Sequence, residues 1–462
     1  MKRIGFIAMS GVRAHNPELT KLGLTLPGFV ERNQVIASLP SLGLLTLAGL
    51  TPNRFAVEYH EIADLRRKPA PANGEGGTLD LPDHFDLVAL STFTAQLNEA
   101  FEVADFYRAR AIPVVMGGIT ASSLPPEAAA HCTSVVIGEG EPLWLEVLRD
   151  FERGQLKQYY LQSPRGQFDL RNAPLPRFEL LDPGKYNRIT VQTSRGCPHR
   201  CEFCASSILL TSRYKVKPVE KVIAELHAIK RIWPRPFIEF ADDNSFVHRE
   251  HFKRLLRELA RENLRWFTEA DVGVAHDAEL LGLMRDSGCQ QVLLGLETPR
   301  SASLDRLELK SNWKLRQQDS YKAAIAKIQS YGITVNGCFI LGLDGDTPDV
   351  FDEVFKFVRD SGLYEVQITF LTAFPGTPLY ERLSREGRII RPAAWELCTL
   401  FDLNIRPRNM TVEQLQAGFV DLARRLYSAE ETSARRARFK TTLKRSPHFG
   451  RRPRTEAEQM AA

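Results

Sequence analysis

The run Arg195-Gly196-Cys197-Pro198-His199-Arg200-Cys201-Glu202-Phe203-Cys204 places three thiols within eight positions, spaced Cys-xxx-Cys-xx-Cys. It follows directly on an apolar, strand-like run, Ile189-Thr190-Val191-Gln192-Thr193. Three thiolates clustered in one loop point to a metal or a cluster, because soft sulfur ligands select such sites. Structural zinc usually takes four protein ligands. No fourth Cys or His stands nearby at pair spacing, and His199, between two of the thiols, is an awkward fourth. On a [4Fe–4S] cluster, three cysteine ligands leave one iron open. That iron can chelate the amino and carboxylate groups of S-adenosylmethionine and pass an electron to its sulfonium. From spacing alone, a zinc knuckle and a purely structural cluster stay open as alternatives.

Such a loop needs elements to hold it, and the chain supplies two series of them. Residues 1 to about 150 read as a doubly wound α/β unit, with strands at Ile4–Met9, Ala56–Ile62, Asp86–Ser91, Pro113–Met116 and Ser134–Ile137. Helical stretches lie between, notably Ser41–Leu50 and Ala95–Arg110. This alternation implies a parallel sheet with its ligands at the carboxyl ends of the strands. Small residues gather there, in Ser91-Thr92-Phe93-Thr94, in Gly117-Gly118-Ile119-Thr120 and in Gly138-Glu139-Gly140-Glu141. A stiff, turn-prone connector over 151–185 follows. From Ile189 to about Leu383 the alternation resumes, beginning with a helix over Val219–Ile232 behind Pro218. Several of its strands end in polar groups or glycines: Asp242, Asp243 and Asn244; Glu269; Gly295 and Glu297; Ile340 to Gly342. The carboxyl end is where barrel sites are built.

With Phe203 just before the last cysteine, the motif resembles the signature of the radical SAM superfamily, and the likeness covers nearly the whole chain. It implies an α/β protein: a Rossmann-like cobalamin-binding domain (1–150), a connector (151–185), a partial (β/α)6 radical SAM barrel (186–385), and a small helical cap with a basic tail (386–462). By the same resemblance Cys197, Cys201 and Cys204 bind the cluster. Phe203, Asp242, Asp243, Asn244, Glu269, Gly295, Glu297, Ile340 and Gly342 are the candidates around S-adenosylmethionine. For the carboxylates and Asn244 the competing readings are a helix N-cap, a solvated side chain at Glu269, and a salt bridge to a barrel arginine at Glu297. The first domain resembles the cobalamin domain that precedes such barrels in one large subgroup, with Ser91, Thr92, Gly117, Gly118 and Glu139 around the cofactor. The Asp-x-His-x-x-Gly motif that supplies a cobalt ligand in some cobalamin proteins is absent. His15 is the one histidine in the loop after the first strand, and a solvated loop histidine is its simpler reading. A support domain that binds nothing is the alternative for the whole unit. The cap, with Asn404-x-x-Pro407-x-x-Met410, resembles that of the hopanoid-methylase branch.

The implied activity is reductive cleavage of S-adenosylmethionine to a 5′-deoxyadenosyl radical, serving cobalamin-dependent C-methylation of an unactivated carbon in a small-molecule, lipid or tetrapyrrole substrate. A radical cyclase or oxidoreductase without methyl transfer is the alternative, and a non-catalytic iron–sulfur protein is a further one. An electron donor such as flavodoxin or ferredoxin is expected as partner.

Composition agrees with a globular protein and narrows its setting. Of 462 residues, 43% are hydrophobic and 25% charged, ordinary values for a folded protein of two or three domains. No run of ~18 apolar residues can span a membrane. The apolar start, Ile4-Gly5-Phe6-Ile7-Ala8-Met9, is too short for a signal peptide and reads as a first strand. Seven cysteines, an odd number with three in one loop, argue against a disulfide framework and for a reducing cytosol. Cys289 and Cys338 read as buried small hydrophobes, and Cys132 and Cys398 show no partner pattern. A net charge of +5 does not call for nucleic acid. The tail, from Arg435 through Arg454, is basic and reads as a solvated, partly disordered end; a membrane-peripheral role is its second reading.

Overall fold

The computed structural model describes residues 1–11, 14–16, 18–19, 39–62, 65, 79, 81–163, 167–211 and 213–448. The arginines at 451, 452 and 454, and Val12 and Arg13 of the first loop, lie outside them.

Ile4, Phe6, Ile7, Ala8 and Met9 are all buried, with no alternation between core and solvent. That is the mark of a central strand covered on both faces. Strand β1 (Lys2–Met9) accordingly pairs in parallel with β2 (Phe55–Ile62) on one side and β3 (Leu87–Ser91) on the other. Then follow β4 (Val114–Gly117), β5 (Ser134–Ile137) and β6 (Tyr159–Leu161), giving the order β2-β1-β3-β4-β5-β6. Strand β6 lies in the stretch read as connector. It is three residues long with two of them exposed, too short to register as a period. Helix Leu42–Leu50 starts at Ser41, whose hydroxyl accepts from the Leu44 amide. Helix Leu97–Arg108 falls within the expected Ala95–Arg110.

The second sheet holds β7 (Ile189–Val191), β10 (Phe237–Phe240), β11 (Arg265–Ala270), β12 (Cys289–Glu297), β13 (Thr334–Leu341) and β14 (Glu365–Phe370), in the order β14-β13-β12-β11-β10-β7. Each adjacent pair is parallel. A helix follows each strand: Val219–Ile232, Arg249–Leu259, Ala278–Asp286, Tyr321–Ser330, Val350–Ser361 and Pro378–Arg385. Strands β7 and β14 end the order, so this (β/α)6 unit is an open, partial barrel. Between β7 and its helix a two-residue hairpin, β8 (Ser194–Arg195) with β9 (Lys215–Val216), brackets the cysteine loop.

The two sheets are joined by packing and polar contacts. Leu45 of the first domain belongs to the same buried apolar cluster as Phe178, Val191 and Phe240. Tyr186 donates to Glu61 Oε1 at 2.6 Å.

The cap differs from expectation. Helix Val412–Leu426 starts from a capping box in which Thr411 and Gln414 bond reciprocally. A second helix then runs from Ala429 to Arg445, where a solvated end was expected. Arg435, counted among the tail's basic residues, is 1% exposed and donates from Nη1 to the Leu426 carbonyl at 2.7 Å. It thereby satisfies an orphan acceptor at the preceding helix's C-terminus. No helix among the described residues is long and apolar enough to cross a membrane.

Candidate active site

The cysteine loop leaves β7 at the carboxyl end of the barrel and is fastened by two neighbouring aspartates. Asp242 is buried and accepts from the Thr193 and Ser194 amides, each at 2.8 Å, from the Thr193 hydroxyl, and from Ser245 Oγ at 2.8 Å. With four donors its acceptor capacity is used within the protein. Asp242 therefore holds the loop's base, in place of the role toward S-adenosylmethionine expected for it. Asp243 accepts the Gly196 amide at 2.7 Å and keeps its other oxygen free of hydrogen bonds among the described residues. Asn244 donates to Asp271 Oδ2 at 2.9 Å and faces Cys197 Sγ at 3.8 Å. None of the three caps the following helix, which starts at His248.

Cys201 is buried, and Cys197 and Cys204 are half-buried. Burial pushes all three thiols up, Cys197 to about 11, so they hold their protons until a metal displaces them. No three His, Cys, Asp or Glu side chains among the described residues converge closely enough to hold a single metal ion. A cluster takes each thiolate on a separate iron, so its ligands need not meet at one point. The donor set thus fits a cluster with three cysteine ligands. Phe203 packs against the apolar group of Leu304, Ile340, Leu371 and Leu379 beside the loop.

The barrel lumen is acidic. Glu269, on β11, is reached by solvent yet enclosed by the open barrel; its backbone carbonyl accepts from the Ser245 amide at 3.0 Å, and its carboxylate has no hydrogen-bond partner among the described residues. Desolvation in the lumen, together with nearby Glu239, Asp243, Asp242 and Glu297, pushes its carboxyl up to about 8. A carboxylate so placed gains most from a cation beside it. Glu297 is differently employed: it ion-pairs with the buried Lys314, a lysine where a barrel arginine was expected. Lys314 also donates to the Gly295 carbonyl at 2.8 Å. A Cβ on Gly295 would lie 2.7 Å from Glu297 Oε1 and 3.0 Å from Lys314 Nζ, so the missing side chain makes room for this pair. Gly342 is likewise taken by the fold. At φ +97° its amide donates to Asp346, and an added Cβ would strike Leu415 of the cap helix. Ile340 is buried in the group that includes Phe203. Cys338, read as core, sits half-buried on β13 opposite Gly295.

Sequence reading missed Lys314, Glu308 and Asp271. His199 lies between the last two, with Nε2 at 3.1 Å from Asp271 Oδ2 and Nδ1 at 3.3 Å from Glu308 Oε1. Asp271 had a signal, two residues beyond Glu269 at the same strand end. Lys314 had none, since its pairing with Glu297 spans a loop of no fixed length.

A second concavity lies between the two sheets. Its wall on the first domain is the carboxyl edge holding Ser91, Gly117, Gly118 and Glu139, along with Leu42 and Leu47; Gln192, Arg195, Leu209 and Leu210 close it from the barrel side. The cavity measures about 280 Å³. Gly118 takes φ +98°, a turn only glycine makes without strain. A Cβ on Gly43 would meet nothing within 4 Å. Thr92 is not on the wall; its hydroxyl donates to the Phe93 carbonyl at 2.9 Å. His15 is exposed and not on the wall either. Glu139 lies on the wall with its charge already answered. It pairs with Arg195 at 2.6 Å and Lys215 at 2.7 Å and accepts from Gln162 and the Phe168 amide, both at 2.8 Å. Burial raises its carboxyl, but these donors outweigh burial and hold it below the usual range. Glu141 takes the other arm of Arg195 at 2.6 Å. The charged lining is neutralised from within, leaving an apolar, glycine-edged cleft.

Comparison with known proteins finds relatives over most of the chain. Residues 191–358 match the model described as the radical SAM superfamily, and residues 377–462 match one described as a domain of unknown function. The chain is 27% identical over 348 residues to the bacteriochlorophyllide d C-12(1)-methyltransferase of Chlorobaculum tepidum, covering 74% of this chain and 75% of that protein. It is 28% identical over 385 residues to the hopanoid C-2 methylase of Rhodopseudomonas palustris, covering 81% and 70%. Among solved structures it resembles the radical S-adenosylmethionine methyltransferase TsrM from Kitasatospora setae, with cobalamin and a [4Fe–4S] cluster bound. The TM-score is 0.60 at 18% identity, covering 85% of this chain and 76% of that one.

Proposed function

We propose that this chain, which its barrel, cysteine loop and superfamily match make a radical SAM enzyme, is a cobalamin-dependent C-methyltransferase acting on an unactivated carbon of a small-molecule, lipid or tetrapyrrole substrate. When bound, the cluster and S-adenosylmethionine supply a one-electron reductive cleavage that yields a 5′-deoxyadenosyl radical, and cobalamin supplies the methyl group. The chain's own residues bind, orient and shield. Cys197, Cys201 and Cys204 would hold the cluster, in a loop whose base is set by Asp242 and whose Gly196 amide is set by Asp243. Glu269 offers its carboxylate to the ammonium of S-adenosylmethionine, with Asp243 beside it. Lys314 offsets the charge of Glu297 and adds a positive charge near the thiols. Ser91, Gly117 and Gly118 edge the cleft that would take cobalamin, and Arg195 links that edge to the cysteine loop.

One observation carries the methyl-transfer reading: the apolar cleft is walled jointly by the first sheet's carboxyl edge and by residues flanking the cysteine loop, so a ligand there lies beside the barrel mouth. The methylase names of the Chlorobaculum and Rhodopseudomonas relatives support the reaction type. An external one-electron donor of the flavodoxin or ferredoxin kind and a cytoplasmic site of action belong to the same reading.

The test is bound cobalamin, measured by absorbance and mass spectrometry on protein made anaerobically with cobalamin supplied, followed by transfer of label from methyl-labelled S-adenosylmethionine. Near-stoichiometric cobalamin and a labelled product are expected. An intact cluster that cleaves S-adenosylmethionine without any bound cobalamin overturns the methyl-carrier part and leaves a radical enzyme without methyl transfer.

A further inference from the structure

The cysteine loop has a face open to solvent. Pro198 and His199 wall one side of a groove of about 540 Å³, and Phe246, Arg249, His276 and Trp313 line it further, together with the acids Asp271 and Asp277. The rings of His199 and Trp313 stand 4.5 Å apart on the groove wall, and His199 is two positions from Cys197 and two from Cys201. Arg249 Nη1 is buried there with no hydrogen-bond partner among the described residues. Against burial, its charge also helps hold the neighbouring Asp277 carboxyl below the usual range, so the groove itself is close to neutral and the excess positive charge lies on its rim.

The neighbouring surface is cationic around an apolar centre. The segment from Asp305 to Lys310 runs along the cysteine loop, with the Glu202 amide donating to the Leu307 carbonyl at 3.0 Å and the Leu309 amide to the Arg200 carbonyl at 3.1 Å. It brings Leu309 to the surface, 46% exposed. Lys310 and Arg316 are exposed beside it and Arg200 half so, none with a carboxylate partner among the described residues. Arg306 has only Asp305, 3.9 Å away, and its side chain is 91% exposed. Against these four cations the stretch carries the acids Asp305 and Asp319 at its surface. An apolar centre inside a charged rim suits a small, transient interface whose charges speed encounter more than they strengthen binding.

We propose that this groove and its rim dock an acidic one-electron carrier protein that reduces the cluster through the His199–Trp313 side of the loop. The inference rests on the radical SAM reading, since only a redox cluster calls for such a partner. One electron leaves the carrier, which is oxidised, and enters the cluster, which is reduced from the 2+ to the 1+ state; no bond forms or breaks and no proton is needed.

The experiment follows cluster bleaching in the holoenzyme by stopped-flow absorbance, with reduced flavodoxin or ferredoxin on one side and dithionite on the other. The double variant Lys310→Glu, Arg316→Glu changes only exposed side chains. It should lower the second-order rate with the carrier about tenfold and flatten its salt dependence, with the dithionite rate unchanged. Binding of the carrier to immobilised protein should weaken in parallel. Equal losses with both reductants, or no loss with the carrier, overturn the docking surface. A wild-type cluster that dithionite reduces but no acidic carrier does also overturns it, while cleavage of S-adenosylmethionine under dithionite leaves the proposed function standing.

Discussion

The carboxyl edge of the first sheet and the mouth of the barrel are both strand ends of parallel sheets, yet they prepare opposite environments. At the first sheet the acids are silenced: Glu139 and Glu141 are tied to Arg195 and Lys215, and what remains is leucine and glycine. In the barrel the carboxylate of Glu269 is left unpaired among others, at the cost of its acidity. One edge suits an apolar ligand held by shape, and the other a cation held by charge. Position on the fold nominates a site, but the neutralisation of its charges selects the ligand.

The largest effect expected removes one side of this contrast altogether. Cys201→Ala should abolish cluster assembly and S-adenosylmethionine cleavage, read as iron content and 5′-deoxyadenosine formation, while any cobalamin bound at the first edge stays. Loss of both cofactors together would show that the two edges are not independent.

Arg195→Met attacks the link between them. It leaves Glu139 with Lys215 as its cation, beside Gln162 and the Phe168 amide, and Glu141 without its arginine, and should cost roughly 3 kcal/mol, seen as a lower urea midpoint. An unchanged midpoint would mean that the ion pairs add nothing to folding.

Gly43→Phe sharpens the shape argument. The glycine sits on the cleft wall with open space before it, so the fold should tolerate the ring while cobalamin stoichiometry drops roughly tenfold or more. Unaltered cobalamin content would place the ligand elsewhere.

Glu269→Gln sharpens the charge argument. Because the wild-type carboxyl titrates near pH 8 and a cation favours its ionised form, affinity for S-adenosylmethionine should rise as pH rises through that value. The glutamine variant should bind about tenfold more weakly at high pH and lose the slope. In the ligand-free protein the sign reverses. The folded state keeps a proton that the unfolded chain has released, so stability should fall between the ordinary carboxylate pKa and about 8, and the variant should not show that fall. A pH-independent wild-type affinity would remove Glu269 from the ammonium.

Smallest is Thr411→Ala, which breaks the capping box of the cap helix. It should cost about 1 kcal/mol and leave both cofactor contents unchanged.

Much of this architecture was legible before any coordinates. Continuous apolar runs such as Ile4–Met9 announced buried parallel strands because both of their faces are covered. The start of helix Val219–Ile232 could be read because Pro218 marks its N-terminus locally. What escaped was short or long-range. Strand β6 has too few residues to show a period, and the helix over Ala429–Arg445 looked like a solvated tail because its burial rests on two residues, Arg435 and Phe439. At the sites, type was readable and role was not. Asp242, Asp243 and Asn244 stand in one run, yet one spends all its acceptors on the loop, one binds Gly196, and one faces a thiol.

The sequence by itself determined the three-thiol loop, the alternation of strands and helices around it, and the small residues at the first sheet's edge, because spacing, period and residue size are properties of neighbours along the chain. Only the tertiary structure decided which charges are spent. Lys314 neutralises Glu297, Arg195 neutralises Glu139, and Glu269 is left unpaired, because a carboxylate's role depends on which donors folding brings to it from distant segments.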